Sequence, residues 1–280
     1  MSRLRNLLER VCSPIPSDED LPASIDKTTK NVAGVDLRED AQLALLEDLG
    51  RVYRDMPFGD SATSELRFHL DNEDYSYFDA IVLYTMLRHT RPRRVVAIGS
   101  GFSSALMLDT RDWFLDRDTQ LAFIDPHPEE LESLLRRDDR ERCSILPKKV
   151  QNVDLAVFTE LEANDILFVD SSHVVKIGSD VARIVFEILP RLASGVLVHV
   201  HGIPYPFEYP LHWLRAGRAW NEAYVLRAFL QFNSEFEIRF FNDFMATFHG
   251  DAVRERMPAA MKASSFELTV PASSLWLARR

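Results

Sequence analysis

Only two cysteines, Cys12 and Cys143, occur in the 280 residues. Two thiols are too few for a disulfide framework or a cysteine-built zinc site, so the hydrophobic core must stabilise the fold unaided. The same scarcity points to a reducing, cytoplasmic setting. Long apolar runs are missing too: no stretch approaches the roughly 18 residues that a membrane-spanning helix needs. Charges in Met1-Ser2-Arg3-Leu4-Arg5-Asn6 interrupt a signal-peptide core before it can form. Positive charge is in deficit, with 33 Lys and Arg against 43 Asp and Glu and a net charge of −10. An acidic chain repels phosphate backbones, so neither nucleic acid nor membrane is an expected partner. Internal repeats and low-complexity tracts are also lacking.

What is present is an alternation of short apolar runs and helical patterns. Hydrophobic residues make up 46% of the chain, which suits one large α/β domain with an appendage. Residues 1–70 read as an N-terminal arm and helical cap. This region holds a short amphipathic stretch (Leu4, Leu7, Leu8, Val11), a Pro- and acid-rich loop over 13–20 and a helix over 39–55. Residues 71–280 read as a Rossmann-like domain, entered by a helix over 77–89. Strands are expected near 94–98, 120–124, 142–146, 165–169, 195–201, 235–241 and 273–278. Helices are expected near 103–116, 128–137, 179–190 and 219–232. This alternation predicts a doubly wound, seven-stranded, mostly parallel sheet covered on both faces, although the last two strand patterns, near 235–241 and 273–278, lie about 30 residues apart and read differently.

The chemistry is concentrated at predicted strand tips, where open α/β sheets bind ligands. Val95-Val96-Ala97-Ile98 ends at Gly99-Ser100-Gly101, and a helical pattern follows at once. Such a turn admits close backbone approach and offers free N–H groups to a polar ligand. The next strand ends in Asp125, roughly 20 residues past the glycines, where a carboxylate can accept both hydroxyls of a ribose. Asp125 could equally cap the helix that starts near Pro128. The fourth strand ends Asp170-Ser171-Ser172-His173, and the fifth delivers His199 and His201 to one face, with His201 at the tip. Asp170, His173 and His201 are the candidate catalytic groups, as general base or as ligands of a metal, while His199 reads as a core histidine. The stretch Ile203-Pro204-Tyr205-Pro206-Phe207-Glu208-Tyr209-Pro210 reads either as a pocket wall or as a loop anchored by its own rings. In Arg218-Ala219-Trp220-Asn221-Glu222, packing at a helix start is expected rather than catalysis.

Ile98-Gly99-Ser100-Gly101-Phe102-Ser103-Ser104, Val169-Asp170-Ser171-Ser172-His173, Phe186-Glu187-Ile188-Leu189-Pro190-Arg191-Leu192 and Pro206-Phe207-Glu208-Tyr209-Pro210 resemble the class I S-adenosylmethionine-dependent methyltransferases, in a bacterial small-molecule-type branch. The resemblance covers most of residues 72–280 and implies a reversed final strand inserted beside its neighbour. It implies that Gly99, Ser100 and Gly101 line the methionine end of S-adenosylmethionine and that Asp125 holds the ribose. It also implies that Asp170 and His173 face the reaction cleft. The family usually carries an acid where this chain has Ala97, and reads His-Asp where this chain has His201-Gly202.

Two readings follow. One is methyl transfer from S-adenosylmethionine to an oxygen or nitrogen of a small molecule, with a divalent metal inessential. The other, suggested by Ala97 and Gly202, is a protein that binds S-adenosylmethionine or S-adenosylhomocysteine without turnover, as a partner or sensor. A nicotinamide-dependent oxidoreductase is a weaker third, because the turn lacks the third glycine of the dinucleotide fingerprint. A second copy of the chain stays open as a partner.

Overall fold

The computed structural model describes residues 15–17, 19–266 and 272–280; Cys12 and the amphipathic stretch at Leu4–Val11 lie outside them. Seven strands form one sheet: β1 (Arg94–Ile98), β2 (Gln120–Ile124), β3 (Cys143–Leu146), β4 (Ile166–Val169), β5 (Leu197–Val200), β6 (Phe236–Phe241) and β7 (Leu275–Arg279). Their order across the sheet is β3-β2-β1-β4-β5-β7-β6. The first five run parallel. β7 is antiparallel to both β5 and β6, as the family resemblance implies. Strand order reverses between β1 and β4, and that switch point sets where a ligand can enter. β1, β4 and β5 are apolar almost throughout because both of their faces are covered, and His199 is the one polar interruption in β5.

Ten helices surround the sheet among the described residues. They are α1 (Glu39–Tyr53), α2 (Tyr77–Thr90), α3 (Phe102–Phe114), α4 (Glu129–Leu134), α5 (Asp139–Arg142), α6 (Ala156–Thr159), α7 (Asp180–Arg183), α8 (Leu211–Arg215), α9 (Glu222–Leu230) and α10 (Asn242–Arg256). The helix expected over 179–190 is α7 followed by a wide turn at Ile184–Ile188 and a tight one at Leu189–Arg191, where Pro190 removes a backbone donor. α10 was not expected. Its apolar residues hold no single face, and the backbone leaves helical geometry at His249 (φ −130°, ψ 23°).

The N-terminal cap shares the core of the sheet. Leu45, Leu46 and Leu49 of α1 are buried in it. Buried Gln42 ties α1 to β6: its side-chain oxygen accepts the Phe241 N–H at 2.7 Å, and its amide donates to the Leu37 carbonyl at 2.6 Å. Ahead of α2, the Arg67 guanidinium is buried against Asp109 (2.5 Å) on α3 and Asp139 (2.6 Å) on α5. This ion network anchors the segment that carries Asp74 and Tyr75 to the carboxyl edge of the sheet.

Candidate active site

Gly99 opens the turn after β1 with φ +91°, and a Cβ there would overlap the backbone carbonyl oxygen of Asp170. The close approach of β4 therefore by itself requires glycine here. Ser100 donates its N–H (2.8 Å) and hydroxyl (2.9 Å) to one oxygen of Asp125, whose other oxygen accepts the His127 N–H (2.8 Å). Asp125 thus braces the turn and keeps spare lone-pair capacity for a further donor. Gly99, Asp125, Lys149, Gln151, Asp170 and Ser172 line a cleft of about 470 Å³ across the ends of β1, β2, β3 and β4.

A second, larger pocket of about 750 Å³ adjoins it. Asp74, Asp79, Asp170, His173, His201, Arg218, Trp213 and Trp220 are among its walls, and Asp170 lines both spaces. Of the Ile203–Pro210 stretch, Tyr205, Phe207 and Tyr209 are buried, so it is anchored by its own rings, and only the downstream Trp213 reaches the pocket.

His173 lies between two carboxylates. Its Nδ1 is 2.9 Å from Glu222 and its Nε2 3.5 Å from Asp170. The ring also rests against Trp220, with centroids 4.1 Å apart. The residue itself takes φ +58°, held by the Asn221 and Glu222 N–H groups donating to its carbonyl (3.1 and 3.2 Å). Burial acts to lower the His173 pKa, but the hydrogen bonds from Asp170 and Glu222 outweigh it and push it up to about 10. For Asp170, burial is likewise outweighed by the charge of His201 and the His173 hydrogen bond, so its carboxyl is held at about 2. Burial raises the Glu222 pKa against the opposing pull of His173. His173 is therefore a fixed imidazolium near neutral pH rather than a base. A Cβ at Gly202 would lie 2.9 Å from the His173 ring, so the missing acid after β5 is the space that the imidazole fills.

His201 sits at the tip of β5 with its Nδ1 3.4 Å from the Ser274 hydroxyl and 3.8 Å from Asp79. Tyr75 packs against its ring at 5.1 Å. Asp79, buried in the first turn of α2, accepts from the Asn242 side chain (2.6 Å), the Ser273 N–H (3.0 Å) and hydroxyl (3.1 Å), and the Ser274 N–H (3.1 Å). Burial raises its pKa; the His201 charge and these donors oppose the rise. His199 is fully buried, stacked on Phe168 (4.1 Å) and bonded to Ser274 (2.9 Å) and Tyr75 (3.2 Å). Burial and the neighbouring His201 keep its pKa well below the usual histidine value.

The structure thus brings Asp170, His173 and His201 to one pocket and Gly99, Ser100, Gly101 and Asp125 to the adjoining turn. Sequence reasoning missed Asp79, Glu222 and Arg218. A lone acid in the otherwise apolar helix Phe78-Asp79-Ala80-Ile81-Val82 was a usable signal. It also missed Glu130, whose carboxylate lies beside Gly101. Burial raises the pKa of Glu130, reinforced by the charges of Asp74, Asp125 and Glu73. These carboxylates place negative charge around the glycine turn, where Ala97 contributes none.

Strand order, glycine turn and polar strand tips define a doubly wound α/β protein with a ligand cleft at its switch point. Residues 96–203 match the profile of a family described as a methyltransferase domain. An uncharacterized protein of Archaeoglobus fulgidus is 31% identical over 161 residues, which cover 54% of this chain and 72% of that one. The chain belongs to the class I S-adenosylmethionine-dependent methyltransferase family. Among solved structures, it is similar to the O-methyltransferase TomG from Streptomyces achromogenes, in complex with SAM, at 15% identity and a TM-score of 0.43, covering 87% of this chain and 91% of that one. It is also similar to an SAH-bound methyltransferase from Podospora anserina, at 13% identity and a TM-score of 0.42, covering 100% and 98%. No helix among the described residues is long and apolar enough to cross a membrane.

Proposed function

We propose that the protein transfers a methyl group from S-adenosylmethionine to an oxygen or nitrogen of a small molecule. The observation that carries this reading is the shared wall at Asp170: the cleft of the glycine turn and the histidine-lined pocket meet there. Bound in the cleft, the cofactor would supply an electrophilic methyl group. Gly99, Ser100 and Gly101 would cradle it, and the spare acceptor capacity of Asp125 suits ribose hydroxyls. Glu73, Asp74 and Glu130 give the turn the negative potential that a cationic ligand needs.

His201 is the base in this reading. Its Nδ1 faces Ser274 and Asp79, which leaves Nε2 to take the proton of the acceptor. Asp79 orients the ring and opposes the charge that develops on it. His173, clamped by Asp170 and Glu222, keeps a positive charge on the pocket wall, and the surrounding indoles restrict water.

Calorimetry should show S-adenosylhomocysteine binding to the wild type. Asp125→Ala should weaken it by about 1–3 kcal/mol, the cost of ribose hydroxyls and the Ser100 turn losing a buried acceptor. Failure of the wild type to bind at millimolar cofactor would overturn the function, and equal affinity in the variant would overturn the ribose placement.

Both nitrogens of His173 already face carboxylates, and Gly202 supplies no oxygen. Among the described residues, no group of three or more His, Cys, Asp or Glu is arranged to hold a metal ion. Divalent Mg²⁺ and Ca²⁺ prefer several oxygen ligands. Methyl transfer is therefore expected to survive a chelator; activity lost to EDTA and restored by Mg²⁺ would overturn that expectation.

A further inference from the structure

Beyond His173 the larger pocket has a cationic and aromatic wall that the proton transfer does not use. Arg218 lies over two indoles, 4.9 Å from the Trp213 ring and 5.1 Å from the Trp220 ring. Its guanidinium has no carboxylate partner among the described residues, although 43 acids are present in the chain. The Trp213 indole N–H is buried and likewise lacks an acceptor among the described residues. Trp220 links this group to the histidine-lined pocket, because it also contacts the His173 ring at 4.1 Å. The wall therefore presents hydrogen-bond donors and aromatic surface side by side.

The acids of the pocket do not cancel this wall. Asp79 is engaged by Asn242, Ser273 and Ser274, and Asp170 by His173. Glu73 and Asp74 interact with Glu130, on the side of the glycine turn. The two indoles meet at 71°, and a guanidinium packed in the angle between them, with no carboxylate partner among the described residues, has N–H donors to offer a planar carboxylate.

We propose that the methyl acceptor is a planar aromatic molecule carrying a carboxylate, which Arg218 binds on the Trp213–Trp220 shelf. The proposal rests on the methyltransferase reading and names the substrate class of the same pocket. The carboxylate anchors one end of the ring system and the nucleophilic atom lies toward His201. A neutral analogue of the same shape keeps the stacking and loses the charge-assisted hydrogen bonds.

The test is calorimetry on the full chain saturated with S-adenosylhomocysteine, using 4-hydroxybenzoate and 3,4-dihydroxybenzoate against the corresponding benzamides. The carboxylates should bind at least about tenfold more tightly than their amides. Arg218→Gln should erase that preference while S-adenosylhomocysteine affinity, which reports the fold, stays unchanged. Equal affinity for acid and amide, a preference that persists in Arg218→Gln, or no binding of either acid to the cofactor-loaded protein would each overturn the proposal. Absence of S-adenosylhomocysteine binding would instead overturn the methyltransferase reading and this one with it.

Discussion

Replacing His201 with Gln is expected to lower methyl transfer about 10²–10⁴-fold, the range that a positioned general base supplies. S-adenosylhomocysteine affinity should change by less than about twofold, since the residue lies toward the acceptor and not the cofactor turn. The expectation rests on geometry: one ring nitrogen faces Ser274 and Asp79, and the ring lines the larger pocket while only 17% of its side chain is exposed. A loss confined to the acceptor KM would show instead that His201 binds substrate without moving a proton. His199 provides the contrast. It sits one rung deeper, stacked on Phe168 and without exposure, so its replacement should act through stability.

Glu222→Gln is expected to cost about 3–5 kcal/mol of stability, because it strips one partner from a buried charge pair. Glu222 and His173 are 2.9 Å apart, with 2% and 8% of their side chains exposed. The pH dependence gives the sharper readout. His173 has its pKa raised from 6.5 to about 10, so the folded state binds its proton more tightly than the unfolded chain. The resulting stability is fully present below pH 6.5 and falls as pH rises toward 10, by up to about 1.4 kcal/mol per unit. Asp170 acts in the other direction: with its pKa lowered from 3.8 to about 2, it contributes above pH 3.8 and loses that contribution as pH falls toward 2. Thermal melts of the wild type should thus decline between pH 6.5 and 10. Glu222→Gln should start lower and decline less. Parallel melting curves for the two proteins would refute the clamped imidazolium. An imidazole titration followed by NMR reads the same group directly.

The sequence by itself determined the sheet. Short apolar runs such as Ile166-Leu167-Phe168-Val169, rich in β-branched and aromatic residues, read as strands buried on both faces, and their alternation with helical patterns implies parallel neighbours. The glycine turn after β1, the acid at the tip of β2 and the polar tips of β4 and β5 were all legible, because strand periodicity and turn chemistry are local properties of the chain, whereas the reversal of β7 came from the family resemblance. The tertiary structure alone decided what those tips do. His173 and Glu222 are 49 residues apart in the chain, and Asp79 and Ser274 are 195 apart. No local pattern records that one histidine is clamped between two carboxylates while another faces a serine hydroxyl and a single buried acid. Gly202 reads in the chain as a lost carboxylate and in the fold as room for the His173 ring. Arg218 reads as a helix-start residue and in the fold as a charge over two indoles with no carboxylate partner among the described residues. Charge state depends on burial and on partners brought together through space, and these exist only once the chain has folded.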